Sequence, residues 1–379
     1  MAKVLFVAPI CPSPHRLGLA MRAGVTTEGL ARRHDVSVAI VRGSVDGPSL
    51  DWVRARTNTA IVVPLATSSA DATSWLRTER GRAIASNPLP QLVRRRSPVV
   101  GDVIAEAFGT AFDVVMTMRT YLVGAVIPFL EAGLPAILDA DDDDARTLES
   151  IGRLDPAERE DAPYHDAFQR TVWPWFDRVL FASAEDAIAP FGHLPNAVRA
   201  PARWTMRAPA DPLELLFVGT PGYLPNRDAV ERLNDRILPM IAALGIDAHL
   251  RHPGPDDEIG PYYARAHIAV VPLRAGGGTR IKILEAFAHG CPVVATPTAA
   301  RGLEVAADEH LVITTDDDDD EAFAAAVVAL ARDDGRRARL AATARRFVLE
   351  HHDVDVVGDR VASLVDEVAG IARPNEYEA

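Results

Sequence analysis

The residues best suited to chemistry lie in the second half of the chain, around three consecutive glycines. Gly276, Gly277 and Gly278 allow the backbone to turn sharply and to approach a ligand closely. Arg280 and Lys282 follow in the first turn of a predicted helix, where unpaired N–H groups and the positive dipole end suit a phosphate. The dipole slightly disfavours cations at this position, so two of them indicate a nearby anion. The pattern predicts a phosphate site served by Arg280 and Lys282.

A carboxylate follows on the same face of the predicted helix. Glu285 lies three residues after Lys282, where it can accept hydrogen bonds from the hydroxyls of a ribose. The simpler interpretation of this spacing is a surface ion pair between the two side chains. Thr279, directly before the helix, is expected to be its N-cap. The residues thus suggest a nucleotide at the anion site, and the surface ion pair stays open as the alternative.

Strands on both sides must hold this loop and helix in place. Residues 270–273 are a short apolar run typical of a buried parallel strand, and residues 291–294 begin the next one. Between them, apolar residues recur at helical spacing from Ile281, and Gly290 suits the left-handed position after a helix end. Strand, glycine loop, helix and strand in this order predict a parallel sheet with its ligand crevice at the carboxyl ends of the strands.

The segment resembles the donor-binding signature of the retaining family-4 glycosyltransferases of GT-B fold, in the variant with a triple-glycine loop. That family often has two glutamates flanking seven residues, of which the first contacts the donor sugar and the second the ribose. Glu285 matches the second glutamate, whereas the first falls on Gly277. The resemblance implies two Rossmann-like, doubly wound α/β domains facing a cleft. It also implies transfer of a sugar with retention of configuration and without a metal or other cofactor.

The resemblance also assigns donor contacts outside the glycine loop. Many members of the family carry an arginine and a lysine after the residue that corresponds to Gly219, and both act on the diphosphate. Here the same stretch offers Thr220, Tyr223 and Asn226 instead. Two phosphate charges still need cations, so charge compensation transfers this role to the pair in the glycine-loop helix. The expected catalytic residues are Arg280 and Lys282, and the expected donor contacts are Gly219, Gly277, Gly278, Thr279 and Glu285.

The first domain is expected to hold the acceptor. By resemblance its first loop reaches into the cleft, which makes Gly18 and Arg22 candidates, with a helix-start turn as the plain alternative. Arg119 and Tyr121 follow a predicted strand, and loops at the carboxyl ends of parallel strands line the ligand crevice. By resemblance Asp139 orients an acceptor or a neighbouring side chain. An acidic turn that caps the next helix is the alternative for Asp139.

The aspartates at the end of this strand allow a second comparison. Asp139 and Asp141 resemble the pair that holds manganese and a nucleoside diphosphate in the other glycosyltransferase fold, GT-A, and carboxylates of this kind suit magnesium or manganese. GT-A enzymes, however, place the nucleotide in the N-terminal part and have no later glycine-loop helix. The strongest phosphate signal here lies in the C-terminal half, so we predict no metal site.

Length and composition agree with two domains. The chain has 379 residues, of which 48% are hydrophobic, enough for two cores. We predict an acceptor domain at residues 1–197, a nucleotide-sugar domain at residues 198–355, and a last helix at residues 356–379 that crosses back to the first domain. The formal net charge of −13 argues against a dedicated nucleic-acid binder.

The expected location is the cytoplasm. Cys11 and Cys291 are the only cysteines, which fits a reducing compartment and gives neither a disulfide framework nor a cysteine zinc site. Neither a signal peptide nor a spanning helix is evident. Residues 76–96 mix arginines with apolar residues, and such a segment can rest on an anionic membrane or hold an acidic acceptor. A solvated helical face is the more common interpretation of that pattern.

Other functions stay open at this stage. A nucleotide-sugar 2-epimerase shares the GT-B fold, and a non-catalytic GT-B-like binding subunit is suggested by Gly277 in place of a sugar-contacting acid. A nicotinamide oxidoreductase is disfavoured because the first loop lacks the three spaced glycines of a dinucleotide site. The donor sugar, its base, the oligomeric state and the acceptor, which can be a secondary metabolite, a lipid or a glycan, are not specified by the sequence.

Overall fold

Two parallel β-sheets form the framework of the molecule. The computed structural model describes residues 1–15, 18–42, 48–65, 77–86, 100–205, 210–254 and 257–370. Within these residues one sheet has seven strands in the order β3-β2-β1-β4-β5-β6-β7, and the other has five in the order β12-β11-β10-β8-β9. Neighbouring strands pair in parallel in both sheets. The predicted pair of doubly wound α/β domains is confirmed.

The strands of the first sheet are β1 (Lys3–Ala8), β2 (Asp35–Arg42), β3 (Thr59–Pro64), β4 (Val114–Met118), β5 (Ala136–Asp141), β6 (Arg178–Phe181) and β7 (Gly192–His193). Those of the second sheet are β8 (Leu213–Leu216), β9 (Ala248–Arg251), β10 (Ile268–Val271), β11 (Val293–Ala295) and β12 (Val312–Ile313). Both faces of the first sheet are covered, since Leu5 and Val7 of β1 enter one core while Val4 and Phe6 enter the other. Burial on both faces explains why these strands are almost wholly apolar.

The first-domain helices are α1 (Gly18–Ala31), α2 (Asp51–Arg54), α3 (Glu79–Ala85), α4 (Val100–Phe108), α5 (Ile127–Glu131), α6 (Asp144–Ile151) and α7 (Ala162–Val172). Among the described residues, 3₁₀ segments lie at Thr120–Val126, Pro156–Asp161 and Trp173–Trp175. The second-domain helices are α8 (Leu224–Arg232), α9 (Leu238–Ala243), α10 (Gly260–Tyr263), α11 (Ile281–Ala288), α12 (Pro297–Ala300), α13 (Asp320–Ala331) and α14 (Asp334–His351). The last helix is α15 (Val354–Val368).

Two helical runs change their hydrogen-bonding pattern next to a proline. The run after β4 forms a 3₁₀ segment and then α5, with Pro128 in the first turn of α5. The run after β8 is broken between α8 and α9 by a π turn at Leu233–Ile237, with Pro239 in the first turn of α9. Proline has no backbone N–H to donate to the preceding turn, so it is tolerated where a helix begins.

The chain passes between the two sheets twice, and the two passages are paired. The backbone N–H of Val198 donates to the carbonyl of His352 over 2.9 Å, beside a bridge between Val198 and Asp353. Helix α15 then packs on α1, where Gly29 and Gly358 bring the two backbones into contact. The last helix therefore lies against the first sheet although it follows the second in sequence.

The strand orders define two ligand crevices. In each sheet the connections leave a central strand in opposite directions, at β1 and β4 in the first sheet and at β8 and β10 in the second. Ligands of open α/β sheets bind outside the carboxyl ends of the strands at such points. The glycine loop follows β10, so the second crevice coincides with the predicted phosphate site.

The arginine-rich segment at residues 76–96 falls mainly outside the described residues. Its described part, residues 77–86, contains α3, in which Arg80 pairs with Glu131 over 3.1 Å and packs over the ring of Trp175. No helix in the described parts of the chain has the length and apolar character needed to cross a bilayer.

Candidate functional site

The glycine loop after β10 has a shape that requires glycine. Gly276 and Gly278 have φ angles of 122° and 61°, in the left-handed region that side chains rarely adopt. Arg280 holds the loop from inside, since its guanidinium donates to the carbonyl of Gly276 over 3.1 Å, to that of Gly278 over 2.6 Å and also to that of Gly277. The loop is thus built around an arginine that belongs to the same segment.

Arg280 therefore faces its own loop. The residue is 7% exposed, and burial lowers the pKa of its guanidinium. A fourth contact, to the carbonyl of Thr298, is longer at 3.4 Å. The dipoles of these carbonyl groups compensate part of the positive charge of Arg280. The predicted contact between Arg280 and a diphosphate stays a prediction. In this arrangement Arg280 shapes the loop that would receive the anion.

Lys282 lies at the carboxyl end of β8. Its Nζ donates to Oδ1 of Asn226 over 2.7 Å and is 4.2 Å from the ring centroid of Phe217. Burial, with a smaller contribution from the nearby charge of Arg280, lowers the pKa of Lys282 to about 7. A cation held by a neutral amide and an aromatic face retains a strong affinity for an anion.

Asn226 connects the Lys282 ammonium to the loop after β8 through hydrogen bonds. Its Nδ2 donates to the carbonyl of Thr220 over 3.0 Å, and a Cβ added at Gly219 would lie 2.7 Å from its Cγ. The candidate Gly219 therefore leaves the room that the Asn226 side chain occupies. From the sequence, Asn226 is notable only for its place in a loop where the related family carries cations.

Glu285 lies beside Lys282 on α11 and is 8% exposed. Within the described residues its carboxylate accepts no hydrogen bond. Burial raises the pKa of Glu285 to about 8, against the opposing effect of Lys282, and Glu285 in turn adds to the raised pKa of the buried Tyr263 hydroxyl. The exposed ion pair considered from the sequence is not what the structure contains. A buried carboxylate without a donor suits the hydroxyl groups of a ligand.

The prediction that Thr279 caps α11 is wrong. The N-cap residue is Arg280, and no side chain caps this helix. The Thr279 hydroxyl instead accepts a hydrogen bond from Nδ2 of Asn196 over 2.7 Å, because Asn196 reaches it from the end of the first domain. Within the described residues no side chain caps the backbone N–H groups at the start of α11, and an anion can bind there.

Two of the first-domain candidates form a buried pair. Arg22 of α1 binds Asp139 through Nε over 2.9 Å and Nη2 over 2.7 Å, and its Nη1 donates to Asn196 Oδ1 over 3.1 Å. Asp139 is fully buried, and Arg22 is 4% exposed. Asp139 therefore orients a neighbouring side chain, which is one of its two roles expected from the resemblance. Through Asn196 this pair is linked to Thr279 in the second domain.

Arg119, directly after β4, binds three of the aspartates between the end of β5 and the start of α6. It binds Asp141 over 3.1 Å, Asp142 over 2.9 Å and also Asp144, and it lies 5.6 Å from the ring centroid of Tyr121. Arg119 and Asp141 both have positive φ, 69° and 65°, a strained conformation that is common at functional sites. Burial raises the pKa of Asp141 to about 7, assisted by Asp142 and opposed by the two arginines around it.

The two domains meet at the glycine loop itself. The N–H of Gly276 donates to Ser150 Oγ over 3.0 Å. A Cβ at Gly277 would overlap Thr147, and one at Gly278 would overlap Asp142. Across the same gap, a Cβ at Gly18 would lie 2.9 Å from Ile281 Cδ1. The predicted candidates Gly18, Gly277 and Gly278 are thus points of close approach between the domains. The sequence pattern does not predict their partners Asp142, Thr147 and Ser150, because these contacts join distant segments.

Among the described residues there is no group of three or more His, Cys, Asp and Glu side chains arranged to hold a metal ion.

Comparison with known proteins decides the family of the second domain. Residues 196–333 match the sequence profile of the family described as Glycosyl transferases group 1. The second domain is therefore similar to the glycosyltransferases of group 1. This domain contains both the glycine loop and α11, so the geometry above belongs to a glycosyltransferase, as the motif analysis predicts. No curated protein matches the sequence significantly.

Solved structures support the GT-B fold of this glycosyltransferase over its length. A sucrose-phosphate synthase from Thermosynechococcus elongatus is similar with a TM-score of 0.71 and 13% identity, over 98% of this chain and 100% of that chain. Anabaena HepE in complex with UDP-glucose has a TM-score of 0.64 and 15% identity over 97% and 100%. A glycosyltransferase from Rickettsia africae has a TM-score of 0.62 and 13% identity over 98% and 99%. These likenesses show the shared fold.

Proposed function

We propose that this glycosyltransferase moves a sugar from a nucleoside-diphosphate sugar, bound at the mouth of α11, to an acceptor held on the first domain. The observation that carries this proposal is Lys282. Its ammonium lies at the carboxyl end of β8 with a neutral amide and an aromatic ring as its neighbours. The uncapped mouth of α11 begins one residue earlier. A diphosphate satisfies both the cation and the orphan N–H groups.

Glu285 supports a nucleotide in this position. A carboxylate that is 8% exposed and has no hydrogen-bond donor among the described residues is costly unless a ligand supplies one. The two hydroxyls of a ribose are suitable donors, and Glu285 lies one helical turn beyond Lys282. The nucleoside half of the donor then extends from the diphosphate towards α11.

The transfer itself needs stabilisation of the leaving diphosphate. As the bond between the anomeric carbon and the diphosphate oxygen breaks, negative charge develops on that oxygen, next to Lys282 and the amides of the glycine loop. The acceptor oxygen bonds to the anomeric carbon on the same face, and its proton passes to the departing phosphate. Configuration is retained in this scheme. Neither step uses a metal ion, because the lysine and the amides carry the charge compensation.

The donor is proposed to be a uridine or related nucleotide sugar. The neighbour HepE, which shares the fold, was crystallised with UDP-glucose, and UDP-glucose is therefore the first probe. We infer that the acceptor binds at the carboxyl ends of β1 and β4, a position supported by Arg119 and Tyr121, which border the first crevice.

Calorimetry tests the proposal. UDP, GDP and their sugar conjugates are titrated into the wild type, into Lys282→Met and into Lys3→Met, which removes the only other lysine, an exposed one at the opposite end of β1. We expect the wild type and Lys3→Met to bind one of the two nucleotides, UDP or GDP, together with its sugar conjugates. Lys282→Met should bind the same ligands at least tenfold more weakly. Unchanged binding in Lys282→Met, or no nucleotide binding at all, overturns the proposal.

Turnover assays separate the related activities. Release of UDP from UDP-glucose or a related donor, measured with and without EDTA, is expected to persist when metals are removed. Loss of turnover with EDTA contradicts the metal-independent step. Interconversion of the donor sugar without any acceptor indicates an epimerase, and tight binding without turnover indicates a non-catalytic subunit.

A further inference from the structure

One carboxylate oxygen of the first domain lies directly against the glycine loop of the second. Oδ1 of Asp142 is in van der Waals contact with Gly278, close enough that any side chain at that position would overlap it. Within the described residues this oxygen accepts no hydrogen bond, whereas Oδ2 of the same side chain accepts one from Arg119 Nη1 over 2.9 Å. The Asp142 side chain is 21% exposed, so a ligand can reach part of it.

The neighbouring aspartates already have partners on their own side of the cleft. Asp139 binds Arg22, and Asp141 lies between Arg22 and Arg119. Asp143 is the N-cap of α6 and accepts a hydrogen bond from the Arg146 N–H over 3.1 Å. Asp142 differs from these three residues because one of its oxygens lies against the other domain and has no hydrogen-bond donor among the residues that the structure describes.

The glycine loop contributes no side chain at this border. Gly277 cannot carry one because Thr147 fills the space, and Gly278 cannot because of its positive φ and the contact with Asp142. Any polar side chain that meets the part of a ligand beyond the diphosphate must therefore come from elsewhere. The first domain supplies Asp142 next to Gly278 and Ser150 next to Gly276. The Ser150 hydroxyl accepts a hydrogen bond from the N–H of Gly276.

The charge of Asp142 limits which ligand group it can meet. A carboxylate repels a phosphate, so contact with the diphosphate is unfavourable. A hydroxyl group is an effective donor to a carboxylate, and such charge-assisted hydrogen bonds are stronger than neutral ones. Arg119 compensates the negative charge through Oδ2 and fixes the orientation of the side chain.

We propose that Asp142 accepts a hydrogen bond from a hydroxyl of the donor sugar and thereby makes sugar selection depend on closure of the two domains. This inference rests on the proposed donor site at the mouth of α11. It assigns the nucleotide to the second domain and the discrimination of the sugar to a residue of the first. Gly277 and Gly278 then serve to let that residue approach.

The experiment compares the affinity for a nucleotide with that for its sugar conjugate. UDP, UDP-glucose and UDP-galactose, and GDP and GDP-mannose, are titrated into the wild type, Asp142→Asn and Glu131→Gln. The control Glu131→Gln removes a carboxylate that also pairs with an arginine, on α5 and away from the glycine loop. Deoxy analogues of the preferred sugar, each lacking one hydroxyl, are then titrated into the same three proteins.

We expect Asp142→Asn to lower the affinity for the preferred nucleotide sugar about tenfold or more and to change that for the free nucleotide less than twofold. One deoxy analogue should bind the wild type about tenfold more weakly, and the same loss should be absent in Asp142→Asn. Glu131→Gln should behave as the wild type in both series.

Three results overturn the inference. Equal losses for nucleotide and nucleotide sugar show a general effect on the site, and an unchanged ratio in Asp142→Asn shows that the oxygen does not meet the sugar. The inference is also contradicted if the wild type binds a nucleotide but no sugar or sugar hydroxyl increases the affinity. In that case the proposed nucleotide site is still supported. If the wild type binds none of the nucleotides, the proposed function itself fails.

Discussion

Replacing Lys282 by methionine is the most informative perturbation of this site. Methionine keeps an unbranched chain beside Phe217 but removes the ammonium that donates to Asn226. A hydrogen bond to a charged group contributes about 1.5–3 kcal/mol, so loss of the contact with a diphosphate should weaken nucleotide binding by roughly 10- to 150-fold. Titration calorimetry with UDP and with a UDP-sugar measures this loss directly.

The pH dependence of binding gives an independent measure of the same group. The pKa of Lys282 is lowered to about 7 in the free protein, and a bound diphosphate raises it again by favouring the charged form. Binding must therefore take up a proton above pH 7, and affinity should fall by up to about tenfold per pH unit between pH 7 and 9. Lys282→Met should show no such decline, and neither should Lys282→Arg, because arginine stays charged over this range.

Stability should change in the opposite direction to binding. Burial lowers the pKa of Lys282 from its ordinary value of 10.5, so the charged lysine destabilises the native state. Because the side chain keeps partial exposure, we expect Lys282→Met to raise the free energy of unfolding by on the order of 2 kcal/mol. The gain should be full below pH 7 and vanish as the pH rises to 10.5, where the unfolded lysine also loses its proton. Weaker folding together with unchanged nucleotide affinity would refute the reasoning.

Other substitutions probe the carboxylate, the glycine loop and the connection between domains. Glu285→Gln should weaken UDP binding about tenfold while leaving the affinity for inorganic pyrophosphate unchanged, because only the ribose loses the carboxyl group that it meets. Equal losses in calorimetry would contradict a ribose contact. Gly277→Ala should overlap Thr147 and hold the domains apart, which small-angle scattering detects as a larger radius of gyration; Gly260→Ala, with open space around it, is the control. Asn196→Ala removes the acceptor of one nitrogen, Nη1, of the buried Arg22 guanidinium, whose other nitrogens stay bound to Asp139, and should lower the free energy of unfolding by about 2 kcal/mol in urea denaturation. A change within error would exclude a structural role for this link.

The order of the elements could be read from the sequence because it depends on local patterns. The apolar runs at residues 270–273 and 291–294 form strands close to where the pattern predicts them, at β10 (Ile268–Val271) and β11 (Val293–Ala295). The three glycines and the helix after them also form as predicted, since positive φ at Gly276 and Gly278 is a local backbone property. Strand and helix periodicity, together with the glycine loop, therefore determine the two parallel sheets and the position of the phosphate site.

The partners of the site residues could not be read in the same way. Arg280 turns into the carbonyls of its own loop, Thr279 bonds to Asn196 instead of capping a helix, and Lys282 is held by Asn226. Each of these contacts depends on how side chains fill the space left after the elements pack, and neither helical period nor residue spacing reports that space.

Sequence alone thus determined the class of the fold, the glycine loop, and the presence of a cation and a carboxylate at the start of one helix. Only the tertiary structure decided that the first domain closes on this loop and brings Asp142 to Gly278. The physical reason is that such a contact joins segments more than a hundred residues apart, and it forms only after two independently patterned sheets have been placed face to face.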